Sequence, residues 1–264
     1  MSSFSRFAAL AVTALLLSAA PSRAEDSIPG APRELLEDIA TGSRVLADLG
    51  VVDAFGHVSA RHPTNPRHFL MARSIAPAQV TANDIMEFDE NGEPVDAKNR
   101  AVFLERFIHA EIYKARPDVN AVVHTHSPGV VPFSVSRTPL KPLYHNAAFL
   151  GDGAPVWDIG KEFGATDMLV RNNAIGRSLA SALGDKSVVL MRGHGDVTVG
   201  PAVQAAVFRA YYTDVNAKLQ AQALGLGAEV AYLSADEATK ADAVNMVIMD
   251  RAWTLWRQRI QIGK

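Results

Sequence analysis

Residues 121–126 read Ala121-Val122-Val123-His124-Thr125-His126, and a second run, Ser187-Val188-Val189-Leu190-Met191, leads into Arg192-Gly193-His194-Gly195. Each is a short β-branched or aliphatic stretch with histidine at its end, the pattern of a buried strand whose tip carries polar groups. Residues i and i+2 of a strand share a face, so His124 and His126 can aim both imidazoles at one point. The plainer reading of an isolated His-x-His pair is two hydrogen-bonded or exposed rings. Burying two imidazoles is costly unless they are hydrogen-bonded or metal-bound. His194 lies between glycines that let the backbone approach a ligand, and it offers a third nitrogen donor. Three such donors with open positions beside them are what a catalytic metal site needs. Glu105, on the helix expected to feed the His124 strand, can reach such a metal or act as a base. A solvated carboxylate is its plainer fate.

Outward from these strands, the spacing of Leu35, Leu36, Ile39, Val45, Leu46 and Leu49 predicts a helix over Pro32–Leu49, ended by Gly50. Strands are expected at Val58–His62 and Phe69–Arg73. Met86–Phe88 and Glu93–Val95 are expected to form a hairpin around Glu90-Asn91-Gly92. Arg100–Arg116 reads as helical, stopped by Pro117-Asp118. Two long helices, about Pro201–Ala223 and Ala235–Ile260, close the chain. The second opens on Ser234-Ala235-Asp236-Glu237, a capping-box pattern. No repeat, charge run or linker divides residues 25–264, so one α/β domain is expected.

The chain has 264 residues, 48% of them apolar, with 26 basic and 28 acidic side chains and no cysteine. That composition supports a core of ordinary size and excludes low-complexity disorder. The near-neutral balance provides no electrostatic footprint for nucleic acid. Absence of cysteine excludes disulfide scaffolds, thiol catalysis and sulfur-ligated zinc, so any metal must sit among nitrogen and oxygen donors. Arg6, the largely apolar stretch Phe7–Ala20 and the small residues Ser22 and Ala24 resemble a secretory signal cleaved after Ala24. A chain starting at Glu25 would keep 24 basic against 28 acidic groups, a net charge of −4. The expected product is periplasmic or secreted, with no membrane association in the mature form.

Taken together, Glu105-Arg106-Phe107-Ile108-His109, Tyr113-Lys114-Ala115-Arg116-Pro117-Asp118, Ala121–His126, Gly56-His57-Val58-Ser59-Ala60-Arg61 and Met191–Gly195 resemble the class II aldolase/adducin family, including its fuculose-phosphate aldolase-like members. The motifs stand in the family's order across roughly residues 33–225. The resemblance implies a three-layer α/β/α sandwich with a mainly antiparallel central sheet. It implies a homotetramer with active sites at subunit interfaces. It also implies His124, His126 and His194 as ligands of a divalent ion (zinc, manganese or iron) and Glu105 as the catalytic acid/base.

Departures from the sugar-phosphate branch narrow the substrate. That branch shows Gly-Asn where this chain has Gly56-His57, a Thr-Gly phosphate cradle where it has Met71-Ala72-Arg73-Ser74, and Ser-Ser where it has Phe103-Leu104. Phenylalanine and leucine cannot hydrogen-bond phosphate oxygens. Arg73 offers a planar fork for a carboxylate instead. His57, Ser59, Arg73 and Ser74 are the expected substrate contacts. Counting back from Gly151 puts His145 at the position of the family's catalytic tyrosine, so His145 is the expected proton donor. Neighbouring Tyr144 or Asn146 would take that place with a shift of one. His62, His68 and His109 are expected to be structural. These features resemble the decarboxylase-type branch, which removes CO2 from hydroxylated aromatic or heteroaromatic carboxylic acids. Retro-aldol cleavage of an unphosphorylated substrate is the alternative. An Fe(II)-dependent oxidative enzyme and a non-catalytic, adducin-head-like interaction domain are further ones.

Overall fold

A computed structural model describes residues 28–262, so the signal-like segment 1–24 lies outside the described residues. In chain order the elements are α1 (Arg33–Asp48), β1 (His57–Arg61), β2 (Phe69–Ala72), β3 (Ile85–Phe88), α2 (Arg106–Ala115), β4 (Ala121–Thr125), α3 (Val131–Val135), β5 (Val156–Trp157), α4 (Ile159–Phe163) and α5 (Asn173–Leu183). The last five are β6 (Val188–Met191), β7 (Gly195–Gly200), α6 (Val203–Gly225), α7 (Ala235–Ile248) and α8 (Asp250–Ile262). The strands form one seven-stranded sheet in the order β3-β2-β1-β4-β7-β6-β5. Every neighbouring pair is antiparallel except β5 with β6.

Strand alternation sorts the core into two layers. Val58, Ala60, Val123 and Leu190 face a cluster with Ile39 and Leu46 of α1, Val207 of α6, and Trp253 and Trp256 of α8. Met71, Val122, Val189 and Val197 face the other cluster, with Phe107, Ile108 and Ile112 of α2 and Leu179 of α5. The result is a three-layer α/β/α sandwich around a mainly antiparallel sheet. His57 and Ser59 alternate with Val58 and Ala60, so they face α2. In register, His57 stands opposite His124, and Thr125 opposite Asp196. Among the described residues, no helix is long and apolar enough to cross a membrane.

Four local expectations need correction. The helix expected from Arg100 begins at Arg106, because Ser74 N–H donates to the Ala101 carbonyl at 2.8 Å and draws the preceding segment out of the helix. Glu105 is therefore the residue before the helix, not a member of it. Glu93–Val95 contributes a single bridge, Phe88 to Pro94, flanked by Asp89 N–H donating to the Glu93 carbonyl at 2.9 Å and Val95 N–H to the Glu87 carbonyl at 3.0 Å. The expected Ala235–Ile260 helix is two helices broken at Met249, and the second buries Trp253 and Trp256 in the sheet-facing core. Strand β7 was not anticipated, since its glycine ends hide the alternation Asp196-Val197-Thr198-Val199.

Gly195 opens β7 at a close approach: a Cβ there would stand less than 2.5 Å from the Thr125 carbonyl oxygen. No side-chain rotation relieves a clash with backbone. Gly195→Ala should therefore cost about 3 kcal/mol or prevent folding, read by chemical denaturation. Gly225→Ala, in the last turn of α6 with nothing within 4 Å of the added carbon, should be neutral or stabilising by up to about 1 kcal/mol in the same measurement.

Candidate active site

Three backbone features bring four donor groups together. Strand β4 delivers His124 within the sheet and His126 one residue past its end. The β6–β7 turn delivers His194, and the residue before α2 delivers Glu105. The His126 Nε2 lies 3.1 Å from His124 Nε2 and 2.9 Å from His194 Nε2. Glu105 Oε2 lies 3.5 Å from the Nε2 of both His124 and His194. All four donor atoms fall within 4.8 Å of one another.

Two of the three rings are anchored on their opposite side. His124 Nδ1–H donates to the Asp196 carbonyl at 3.1 Å, and His194 Nδ1–H donates to the Met168 carbonyl at 3.1 Å. Those bonds select the tautomer whose Nε2 carries a lone pair, the form that ligates metals. Glu105 Oε1 accepts from Val170 N–H at 3.0 Å, which leaves Oε2 to face the imidazoles. Two donors about 2.1 Å from one cation stand about 3.0 Å apart at a right angle and about 3.4 Å apart at the tetrahedral angle. The observed separations match that range, so this His/Glu cluster fits a divalent ion held by nitrogen and oxygen.

Electrostatics agree with convergent lone pairs. Burial opposes ionisation of Glu105, but hydrogen bonding and charge from His124 and His194 outweigh it and hold the carboxyl well below its usual range. Burial lowers His126 to about 4, with the charges of His124 and His194 adding to it. For His194, burial works downward, yet the Glu105 carboxylate prevails and raises its pKa. Beneath the cluster, burial pushes the Asp196 carboxyl up to about 7 against the Thr125 hydrogen bond, and the charge of Asp214 adds to the rise.

A cavity of about 360 Å³ opens above Glu105 and His126. Its walls are largely apolar: Phe55, Ile75, Phe103, Leu104 and Leu169, together with His57 and Ser74. Phe55 is 61% exposed and stacks on His126, ring centroids 5.7 Å apart. Phe103 tilts against His57 at 4.7 Å.

The structure thus gathers Glu105, His124, His126 and His194, and sets His57 and Ser74 on the adjoining cavity wall. It does not bring the other three expected site residues there. Arg73, expected to offer its fork to a carboxylate, engages Asp84 through Nε at 2.7 Å, and Asp84 in turn caps the turn after Thr81. Ser59 is fully buried, with Oγ 2.8 Å from the Tyr113 hydroxyl and 2.5 Å from His109 Nδ1. His145 is exposed at the start of the 145–150 turn, where its carbonyl accepts from Asn245 Nδ2 at 2.7 Å. His62 accepts from the backbone of the 62–65 turn, and His68 pairs with Glu87 at 2.6 Å, as structural residues do. Sequence reading missed Phe55, which directly precedes the Gly56-His57 motif, and Leu169, which neighbours no motif.

Residues 37–221 match the Class II Aldolase and Adducin N-terminal domain family. The chain belongs to this family. It is 34% identical to Decarboxylase tropJ of Talaromyces stipitatus over 246 residues, 84% of this chain and 92% of that protein. It is 32% identical to the 3,4-dihydroxyphthalate decarboxylase of Arthrobacter keyseri over 211 residues, 72% and 79% of the two chains. The crystal structure of an aldolase II superfamily protein from Pseudomonas syringae shares the fold, with a TM-score of 0.74 at 22% identity, covering 90% of this chain and 96% of that one.

Two outcomes follow from this geometry. His124→Ala should weaken Zn(II) or Mn(II) binding by at least about 100-fold, whereas Glu105→Gln should retain most of the bound metal, both measured by metal analysis after dialysis. Asp196 holds a proton in the folded state between pH 3.8 and about 7 that the unfolded chain has lost. Its contribution to stability therefore falls as pH rises through that window. Asp196→Asn should remove this decline, seen as a wild-type-minus-variant difference in melting temperature between pH 4 and pH 8.

Proposed function

We propose that the protein is an exported, divalent-metal-dependent carbon–carbon lyase that removes CO2 from a hydroxylated aromatic or heteroaromatic carboxylic acid. The observation that carries this reading is the apolar, aromatic wall standing directly over a His/Glu cluster. A planar ring fits between Phe55, Phe103, Leu104 and Leu169, where offset or edge contacts with aromatic side chains are favourable. A phosphate would meet hydrocarbon at Phe103-Leu104 and lose its hydrogen bonds. The two decarboxylase relatives support the reaction type.

His124, His126 and His194 would hold the ion through Nε2, with Glu105 Oε2 beside them. A divalent ion so bound supplies Lewis-acid stabilisation of the negative charge that builds as the carbon–carbon bond breaks. Glu105, ionised at rest, takes the proton of the entering substrate hydroxyl on Oε2. When CO2 has left with the carboxyl carbon, the same oxygen returns that proton to the ring carbon. Val170 N–H keeps the carboxylate aimed throughout. The electron pair left on carbon takes the proton held at Glu105.

Assembly into a homotetramer with interface sites is part of the proposal. The exposed His145, outside the lining of this chain's own cavity, is available to a second copy. Export through cleavage after Ala24 also suits a free carboxylic acid, which occurs outside the cytoplasm. N-terminal sequencing of the exported protein should then begin at Glu25.

The deciding experiment loads the protein with Zn(II), Mn(II) or Fe(II) and supplies a panel of hydroxy-aromatic and aliphatic hydroxy acids. Release of CO2 from the aromatic acids is expected, and Glu105→Gln should slow it by about 100-fold or more. Aldehyde release without CO2 would establish retro-aldol chemistry, and oxygen uptake an oxidative reaction.

A further inference from the structure

Between the sheet and α2 lies a chain of buried polar groups that the proposed reaction does not use. The Tyr113 hydroxyl is 2.8 Å from Ser59 Oγ, Ser59 Oγ is 2.5 Å from His109 Nδ1, and His109 Nε2 is 2.6 Å from His57 Nδ1. Ser59 and His109 are 0% exposed, Tyr113 5% and His57 7%. At one end His57 lines the cavity beside Glu105. We propose that Tyr113, Ser59 and His109 set the tautomer of His57 so that its Nε2–H faces the cavity as a hydrogen-bond donor for an anionic oxygen of the substrate.

Each imidazole in the chain has one N–H and one acceptor nitrogen, and Ser59 accepting from both sides would leave its own buried proton without a partner, so the chain runs in one of two directions. The direction is decided at its closed end. Among the described residues, Ser59 Oγ is the acceptor within reach of the Tyr113 proton. Tyr113 O–H therefore donates to Ser59, Ser59 O–H to His109 Nδ1, and His109 Nε2–H to His57 Nδ1. His57 is left with its proton on Nε2. The reverse direction would bury the Tyr113 proton without an acceptor, which is disfavoured.

The placement gives this donor a use. His57 and His124 are cross-strand partners with ring centroids 5.0 Å apart, so a substrate oxygen near the cluster lies near His57 as well. Among the described residues, no arginine or lysine lines the cavity. A neutral N–H is thus what one wall offers to a carboxylate or phenolate oxygen. Tyr113, Ser59 and His109 touch no substrate and act through His57 as positioning residues.

The donor's task rests on the proposed substrate class, whereas the tautomer does not, and the test separates them. Zn(II)-loaded protein carrying ¹⁵N-histidine is examined by long-range ¹H–¹⁵N spectroscopy, with and without salicylate as a hydroxy-aromatic carboxylate probe. Wild type should show His57 protonated at Nε2 alone, and salicylate should shift that signal. Tyr113→Phe and Ser59→Ala should each convert His57 to a mixture of tautomers and weaken salicylate about tenfold, the loss of one hydrogen bond, with bound zinc unchanged. A wild-type His57 protonated at Nδ1, or a tautomer unaltered in both variants, would overturn the proposal. A wild type with the expected tautomer that binds no salicylate upholds the chain's control of His57 and defeats the hydroxy-aromatic reading instead.

Discussion

Four lone-pair-bearing atoms held within 4.8 Å of one another repel, and the rest of the site is arranged to keep them there. The strand β4 is paired on both edges, with β1 and β7, and cannot relax away. Two of the rings are tied from behind by backbone carbonyls, and Glu105 by a backbone N–H. Strain of this kind is tolerable in a fold only if something positive resolves it. A proton on His194 does so partially, because the Glu105 carboxylate raises the pKa of that ring. A divalent cation does so completely, and the nitrogen–nitrogen separations are those a single ion imposes on neighbouring ligands.

The second determinant is what surrounds that charge. Low polarity strengthens every electrostatic contact inside the cavity and leaves few groups able to satisfy a highly charged ligand. A sugar phosphate brings charge that must be met by many donors. A hydroxylated aromatic acid brings one carboxylate, one hydroxyl and a ring face. The cluster, the His57 side chain and the stacked Phe55 and Phe103 supply partners of those three kinds in the same cavity.

How much of this was readable beforehand follows from which signals are local. His124, His126 and His194 sit at the ends of apolar runs, and strand geometry alone places two of them together. The strands were legible for the same reason, as short β-branched and aliphatic runs such as Ala121-Val122-Val123, whereas the three layers were implied by the family resemblance. Glu105 was legible as a residue but not as the position preceding a helix, since the tie from Ser74 to Ala101 joins segments 27 residues apart. Ser59 carries no local sign of whether its hydroxyl meets substrate or a neighbouring helix; strand parity sends it to α2, and only the placement of His109 and Tyr113 there makes it internal. Arg73 failed for the complementary reason. Its partner Asp84 lies across the β2–β3 connection, and an ion pair formed there competes directly with any carboxylate ligand. His109 looked like an ordinary packed histidine, and packed it is, yet its two nitrogens connect His57 and Ser59, which share one face of β1.

The register of β1 against β4 joins the two halves of the site. His57 opposes His124 and Ser59 opposes Val122, so one antiparallel pairing sets both the strand that carries metal donors and the strand that carries the substrate-facing histidine. A slip of one residue would turn His57 and Ser59 to the α1 face and bring Val58 and Ala60 toward α2, burying polar groups in one apolar layer and leaving a gap in the other. Gly56 protects against this slip from the loop side. Its φ of +111° lies where L side chains rarely sit, and a Cβ there would stand 3.0 Å from the His124 carbonyl. The backbone of β1 can therefore approach β4 at this one height. The His/Glu cluster and the placement of His57 consequently share a structural origin, and a change that loosens the β1–β4 pairing should disturb both together, whereas loss of Tyr113 or Ser59 reaches only the second.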